Sequence, residues 1–381
     1  TVALEPGLKT RTFVFNTIAV DKSIDDRLRG YETWISARNL ANDTTDEAVE
    51  ALIDAVVSRY DVVQRYYGLK ARLLGLDRLS FYDRMAPLAD DPTHVGWDEA
   101  RELVLGAFAD FSTETGDIVE RFFAESWIDA PPRDGKRPGA FCATNVPGVH
   151  PYVFMNYTGD RRSVLTLAHE LGHGLHGYLA EPLGLFNASS PLTTAETASV
   201  FGEALTFKKL LAEEADPRRR LNLLAGRIED SIATVFRQVA MNRFEDAVHT
   251  SRRDEGELSP EKFAELWLET QTGMFADSVD VEGYETWWSY IPHFIGTPGY
   301  VYAYAYGFLF ALTIFRKYEL EGDSMIEPYL DVLRAGGSKP PEALAEMVGL
   351  DLRDPKIWQA GIDALAVELD EAEALAADVG L

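Results

Sequence analysis

Apolar residues recur at helical spacing along most of the chain. From Val49 they fall at Leu52, Ile53, Val56, Val57, Tyr60 and Val63, the stripe that an amphipathic helix buries. Thr44 and Glu47 stand ahead of it as a capping-box pair. The spacing predicts a second helix from about Asp98 to Trp127, interrupted near Gly116. A third is predicted from Asp216 as cap, with Pro217 in its first turn, to about Val248, and a fourth from Ser259 with Pro260 behind it. Val301 to Phe315 is apolar but carries three tyrosines and is shorter than the roughly 20 residues that cross a bilayer, which predicts a buried helix. Residues 131–160 break the pattern. They are rich in proline and glycine and lead into Tyr152-Val153-Phe154-Met155-Asn156-Tyr157, which closes at Thr158-Gly159 and predicts a short strand or hairpin. The expected fold is mainly α, with a small antiparallel sheet ahead of the helix that follows.

The 381 residues, 46% of them hydrophobic, suffice for one large or two ordinary domains. Against 36 Lys and Arg stand 62 Asp and Glu, a net charge of −26. Nucleic-acid phosphate and anionic membranes both need a cationic footprint, so neither is an expected partner. Only 10 of the basic residues are Lys, a balance that suits solubility in high salt and an ordinary acidic cytosolic protein alike. Cys142 is the one cysteine, so no intrachain disulfide or multi-thiolate metal site forms, and a reducing, cytoplasmic compartment is expected. Thr1 to Lys9 does not read as a signal peptide and there is no initiator Met. The expectation is a trimmed chain, or one that begins partway through a longer gene product.

Chemistry concentrates in His169-Glu170-Leu171-Gly172-His173, a match to H-E-x-x-H. Residues i and i+4 stack on one helix face, so both imidazoles can reach one tetrahedral zinc. Glu170, about 100° around the helix, can touch a metal-bound water without ligating the metal. Val164, Leu165, Leu167, Ala168, Leu171 and Leu175 surround the motif, so both histidines are expected to be buried. Two stacked buried imidazoles without a shared ligand are costly to satisfy, which favours zinc over a merely hydrogen-bonded helix. His176 lies about 10.5 Å along the axis from His169, too far to share an ion whose bonds are about 2 Å. Position 179 is Leu where the metzincin pattern wants His. The third ligand must come from elsewhere. Glu196, in Thr193-Thr194-Ala195-Glu196-Thr197-Ala198-Ser199, can be that ligand or can pair with Thr193 as a capping box; the spacing leaves both open. Glu203, seven residues on, can hold a ligand histidine by its second nitrogen.

The stretch Thr166-Leu167-Ala168-His169-Glu170-Leu171-Gly172-His173-Gly174-Leu175-His176, followed by Ala195-Glu196-Thr197-Ala198-Ser199-Val200-Phe201-Gly202-Glu203, resembles the thimet oligopeptidase family, in particular its oligoendopeptidase F branch. His293-Phe294 with Tyr300-Val301-Tyr302-Ala303-Tyr304 is similar to the same branch. So are the strand Tyr152 to Tyr157 with its Gly139-Ala140-Phe141 approach, and Leu79-Ser80-Phe81-Tyr82-Asp83 with Ala86-Pro87-Leu88. The resemblance spans nearly the whole chain. It implies a helical, gluzincin-type zinc endopeptidase with a deep channel that admits oligopeptides. Residues 1–130 would be a helical region forming part of the channel wall, and 131–381 the catalytic region. It also implies one Zn2+ on His169, His173 and Glu196, Glu170 as general base, and His293, Tyr300 and Tyr304 as donors to the reacting carbonyl. Members of that family carry a long helical region ahead of the part that starts here. Whether the protein lacks that wall, carries it in residues beyond this sequence or borrows it from a partner stays open.

Helical spacing puts Tyr300 and Tyr304 on one face and Tyr302 and Tyr306 on the other, and the resemblance favours the first pair. The strand Tyr152 to Tyr157 is either a sheet edge on which an extended peptide adds or an ordinary hairpin. Cys142 is expected to be a small buried side chain, and His94, His150 and His249 receive no role. Two rival readings remain. One is a zinc carboxypeptidase of the Taq type, whose additional His-Glu-Ser-type motif does not occur here. The other is a non-catalytic peptide-binding zinc protein, which would not need Glu170.

Overall fold

The computed structural model describes residues 2–88, 93–144, 146 and 148–380. In chain order its elements are α1 (Leu8–Arg29), α2 (Ser36–Ala41), α3 (Asp46–Val57), α4 (Tyr60–Leu74), β1 (Leu79–Ser80), α5 (Trp97–Phe111), α6 (Thr113–Ala124), β2 (Ile128–Asp129), β3 (Phe141–Ala143), β4 (Tyr152–Phe154) and α7 (Arg161–Ala180). There follow α8 (Ser199–Glu213), α9 (Pro217–Ser231), α10 (Arg237–Glu255), α11 (Pro260–Phe275), β5 (Val279–Asp280), α12 (His293–Gly296), α13 (Tyr302–Glu321), α14 (Ile326–Ala335), α15 (Pro341–Met347) and α16 (Pro355–Asp378). The chain is mainly α, as its periodicity predicts. Among the described residues no helix is long and apolar enough to cross a membrane.

Two compact units divide these elements, one of Thr1–Leu88, Leu224–Tyr306 and Leu365–Leu381, the other of Ala89–Leu223 and Gly307–Ala364. Residues 1–130 and 131–381 each contribute to both units. The chain passes between units after Leu88 and inside α9, α13 and α16, so three of the four boundaries fall within continuous helices.

In the first unit an aromatic core gathers Phe15 of α1, Phe244 of α10 and Phe263 of α11 around Trp288 and Phe294, with Phe263 and Trp288 stacked at 4.6 Å between centroids. Ser259 caps α11, its hydroxyl accepting from Lys262 N–H at 3.2 Å. The cap of α3 is Thr45, one residue beyond the predicted Thr44; Thr44 instead hydrogen bonds the Tyr306 hydroxyl at 3.0 Å. The stripe from Val49 to Val63 is two helices, α3 and α4, broken at Ser58 and Arg59. The predicted third helix runs as α9, a π-helical segment at Ile232–Phe236 and α10, ending at Glu255. β1 and β5 form a two-residue parallel ladder.

In the second unit the break in the predicted second helix falls at Ser112, and Gly116 lies inside α6. A Cβ at Gly116 would sit 2.9 Å from the Ala109 Cα, so this glycine lets α5 and α6 close on each other. The sheet has the order β2-β4-β3 and is mixed: β3 pairs antiparallel with β4, but β2 adds parallel to β4's other side. β4 is therefore the central strand, so of the two readings of this segment the sheet edge does not hold: both its sides are paired. The edge is β3. Asp160 then caps α7, accepting from Ser163 N–H at 2.7 Å.

Candidate metal centre

α7 carries His169 and His173 one turn apart, their rings edge to face at 4.9 Å between centroids. Glu196 approaches from the turn ahead of α8. It is not part of that helix, which starts at Ser199, so the capping-box reading of Thr193 and Glu196 does not hold. His169 Nε2 and His173 Nε2 lie 3.3 and 3.5 Å from Glu196 Oε2, and one ligand atom from each of the three side chains falls within 4.8 Å of the others. The Ser199 hydroxyl donates to the same carboxylate oxygen at 2.6 Å. Two imidazoles and one carboxylate converging from two elements fit a single tetrahedral ion with one position left over.

Two glycines permit this approach. A Cβ at Gly172, between the two histidines, would stand 2.3 Å from the Ala198 carbonyl oxygen and 2.6 Å from the Ser199 Cα. A Cβ at Gly307 would stand 3.1 Å from the Glu196 Cβ. Neither was a candidate from motif spacing. Their signal was a glycine inside a helix, which costs about 1 kcal/mol relative to Ala and so implies a packing reason.

The surroundings orient the ligands. His169 Nδ1 donates to Glu203 Oε2 of α8 at 3.2 Å, which leaves Nε2 facing Glu196. Burial disfavours charge on both His169 and Glu196. Their mutual hydrogen bond nevertheless holds the histidine above and the carboxylate below its ordinary range. Burial lowers His173, which also hydrogen bonds the Ala195 backbone.

Glu170 projects from the same helix but does not join the ligand cluster. It is 6% exposed and burial pushes its carboxyl up to about 7, with the His169 charge opposing and Glu196 adding to the shift. The Cys142 N–H of β3 donates to it, while its Oε2 is buried without a hydrogen-bond partner. A cleft opens here, lined by Phe141, Cys142, Thr144, Glu170, His176 and Ser190 along with His169 and His173. His176 turns to Ser190 Oγ at 3.2 Å and is kept neutral by burial, which lowers it to about 4. The Cys142 thiol is pushed up to about 12 by burial and so carries no thiolate at neutral pH.

The remaining expected residues form a second cluster, in the first unit. His293 Nε2 lies 3.2 Å from the Tyr304 hydroxyl, Tyr300 stacks on the His293 ring at 5.6 Å, and Tyr300 and Tyr304 meet edge to face at 5.0 Å. Tyr302 and Tyr306 point the other way, fully buried, with their hydroxyls on Asn42 and Thr44. The tyrosine run splits into the two expected pairs, although Tyr300 lies in the turn before α13 and not in the helix that the spacing assumes.

A model of peptidase family M3 matches residues 112–364. Oligopeptidase PepF of Bacillus subtilis (strain 168) is 30% identical over 356 residues, covering 92% of this chain and 52% of that protein. An oligoendopeptidase F homolog of Borreliella burgdorferi is 28% identical, covering 91% of this chain and 59% of its own length. The crystal structure of a Chlamydophila abortus protein aligns with a TM-score of 0.89 at 27% identity, over 98% of this chain and 62% of that one. Oligoendopeptidase-F from Enterococcus faecium shares the fold, with a TM-score of 0.77 at 24% identity over 98% and 61% of the two chains. The chain thus spans between half and three-fifths of the length of these curated relatives.

Proposed function

From the premise that the chain belongs to peptidase family M3, we propose that it carries the catalytic centre of a zinc-dependent endopeptidase acting on oligopeptides in a reducing, cytoplasmic compartment. The observation that carries the reading is the convergence of His169, His173 and Glu196 beside a buried carboxyl, Glu170, that binds no partner through Oε2. His169, His173 and Glu196 hold the ion, and Glu203 fixes the His169 ring. Zinc in this donor set supplies the Lewis acidity that makes water a nucleophile near neutral pH and polarises the scissile carbonyl.

Glu170 takes a proton from the attacking water and passes it to the leaving amine. Burial pushes its carboxyl up from the ordinary range, which makes it a better proton acceptor than an exposed carboxylate. The Cys142 N–H keeps one of its oxygens in place and leaves the other free to turn to substrate. Tyr300 and His293, with Tyr304 beside them, donate hydrogen bonds to the oxygen on which charge develops; their clustering and the family resemblance support this role. The unpaired side of β3, at the cleft through Phe141 and Cys142, receives an extended peptide by backbone pairing, so side-chain selectivity is broad.

A fluorogenic peptide blocked at both ends tests the reading. Cleavage that stops with chelator and returns with zinc supports it. Cleavage confined to peptides with a free C-terminus favours the carboxypeptidase instead.

A further inference from the structure

The turn that joins α12 to α13 is held from two sides within the first unit. Gly299 N–H donates to Glu245 Oε1 of α10 at 2.9 Å, and Arg38 Nε of α2 donates to the Pro298 carbonyl at 3.3 Å. Gly299 has φ +73°, and a Cβ there would meet the Trp34 ring at 3.3 Å and the Arg38 Cβ at 3.4 Å. Trp34 is fixed in its turn by α10: its indole N–H donates to Asp246 Oδ1 at 2.7 Å and its ring stacks on His249 at 4.6 Å. The next residue is Tyr300.

Glu245 is an expensive way to fill this space. It is fully buried, and its Oε2 has no hydrogen-bond partner. A buried polar atom without a partner is destabilising, a cost that an apolar side chain of the same size would avoid. What the carboxyl provides is an acceptor for a turn N–H that no helix can satisfy. We propose that Glu245 is a positioning residue which, together with Arg38, fixes the Pro298–Gly299–Tyr300 turn and so holds the Tyr300 phenol where it donates to substrate. This rests on the reading of Tyr300 as a donor. Burial pushes the Glu245 carboxyl up to about 8 against the Gly299 hydrogen bond and the Arg38 charge, so near pH 7 it is largely neutral. An amide can therefore stand in for it.

The test is steady-state kinetics of the full-length, zinc-loaded protein in two backgrounds. Glu245→Met should lower kcat by roughly 10-fold or more, with KM and zinc stoichiometry little changed, because small misplacements of a catalytic group are costly. Glu245→Gln should retain most of the rate. In a Tyr300→Phe background, Glu245→Met should have no further effect on kcat. Full kcat in Glu245→Met, or the same fractional loss in both backgrounds, overturns the inference while leaving the Tyr300 reading intact. An unchanged kcat in Tyr300→Phe alone overturns the Tyr300 reading and this one with it. If Glu245→Met does not fold, Arg38→Met removes the other clamp from a part-exposed side chain and is read by the same outcomes.

Discussion

His169 Nδ1 donates to Glu203 Oε2 at 3.2 Å, so α8, the helix after the Glu196 turn, supplies the carboxylate that orients the candidate ligand His169 on α7. Without that partner the ring is free to rotate and to change tautomer. Glu203→Ala should weaken zinc binding by about 10- to 100-fold, read by competition with a chromophoric chelator. Wild-type affinity would mean that the contact does not support the metal.

Gly172 is where α7 admits the Glu196 turn. Gly172→Ala drives a methyl group to 2.3 Å from the Ala198 carbonyl, and backbone there must move to relieve it. Overpacking of this kind costs about 1–3 kcal/mol in denaturant unfolding. It should also weaken zinc binding, because Glu196 moves with the displaced turn. Gly226→Ala is the control: a Cβ there meets nothing within 4 Å, and the change should be neutral or stabilising.

His249 links stability to acid. Burial, with the charges of Lys22 and Arg253, lowers it from 6.5 to about 3, and neither ring nitrogen has a hydrogen-bond partner. Below pH 6.5 the unfolded chain takes up a proton that the folded chain refuses, so stability is complete above that pH and falls as pH drops toward 3. His249→Phe keeps a ring against Trp34 and should flatten that part of a melting-temperature profile. An unchanged slope would place the acid sensitivity elsewhere.

Tyr300→Phe removes one hydroxyl from the His293 cluster. By analogy with the loss of an oxyanion donor, kcat should fall by roughly 10²-fold with the zinc content intact. Tyr302 and Tyr306 are packed in the core with their hydroxyls on Asn42 and Thr44, so Tyr306→Phe should affect stability more than rate. A larger rate loss in Tyr306→Phe than in Tyr300→Phe would reverse the assignment of the two faces.

What was legible in the sequence is what one helix holds within itself. The stacking of His169 on His173 and the offset of Glu170 follow from residues per turn, as does the separation of Tyr304 from Tyr302 and Tyr306 in α13; Tyr300 precedes that helix, so its place depends on the turn. Glu196 could not be derived that way, since its place depends on how closely the turn before α8 packs on α7. Only Gly172 and Gly307 hinted at that approach. Whether Tyr152 to Phe154 forms an edge was not legible, because strong strand composition marks the centre of a sheet as readily as its edge. The two compact units were invisible for a different reason. Three of its four crossings between them fall within continuous helices, where nothing in composition changes.

The central claim is that three side chains hold zinc and a fourth, Glu170, moves the proton. Glu170→Gln tests it most directly, because the amide keeps the shape of the carboxyl but cannot accept the proton. The zinc content of the purified variant and its turnover of a doubly blocked fluorogenic peptide should be measured on the same sample. The account predicts one zinc per chain, as in the parent, with cleavage lost. Full zinc occupancy with near-normal turnover would contradict it.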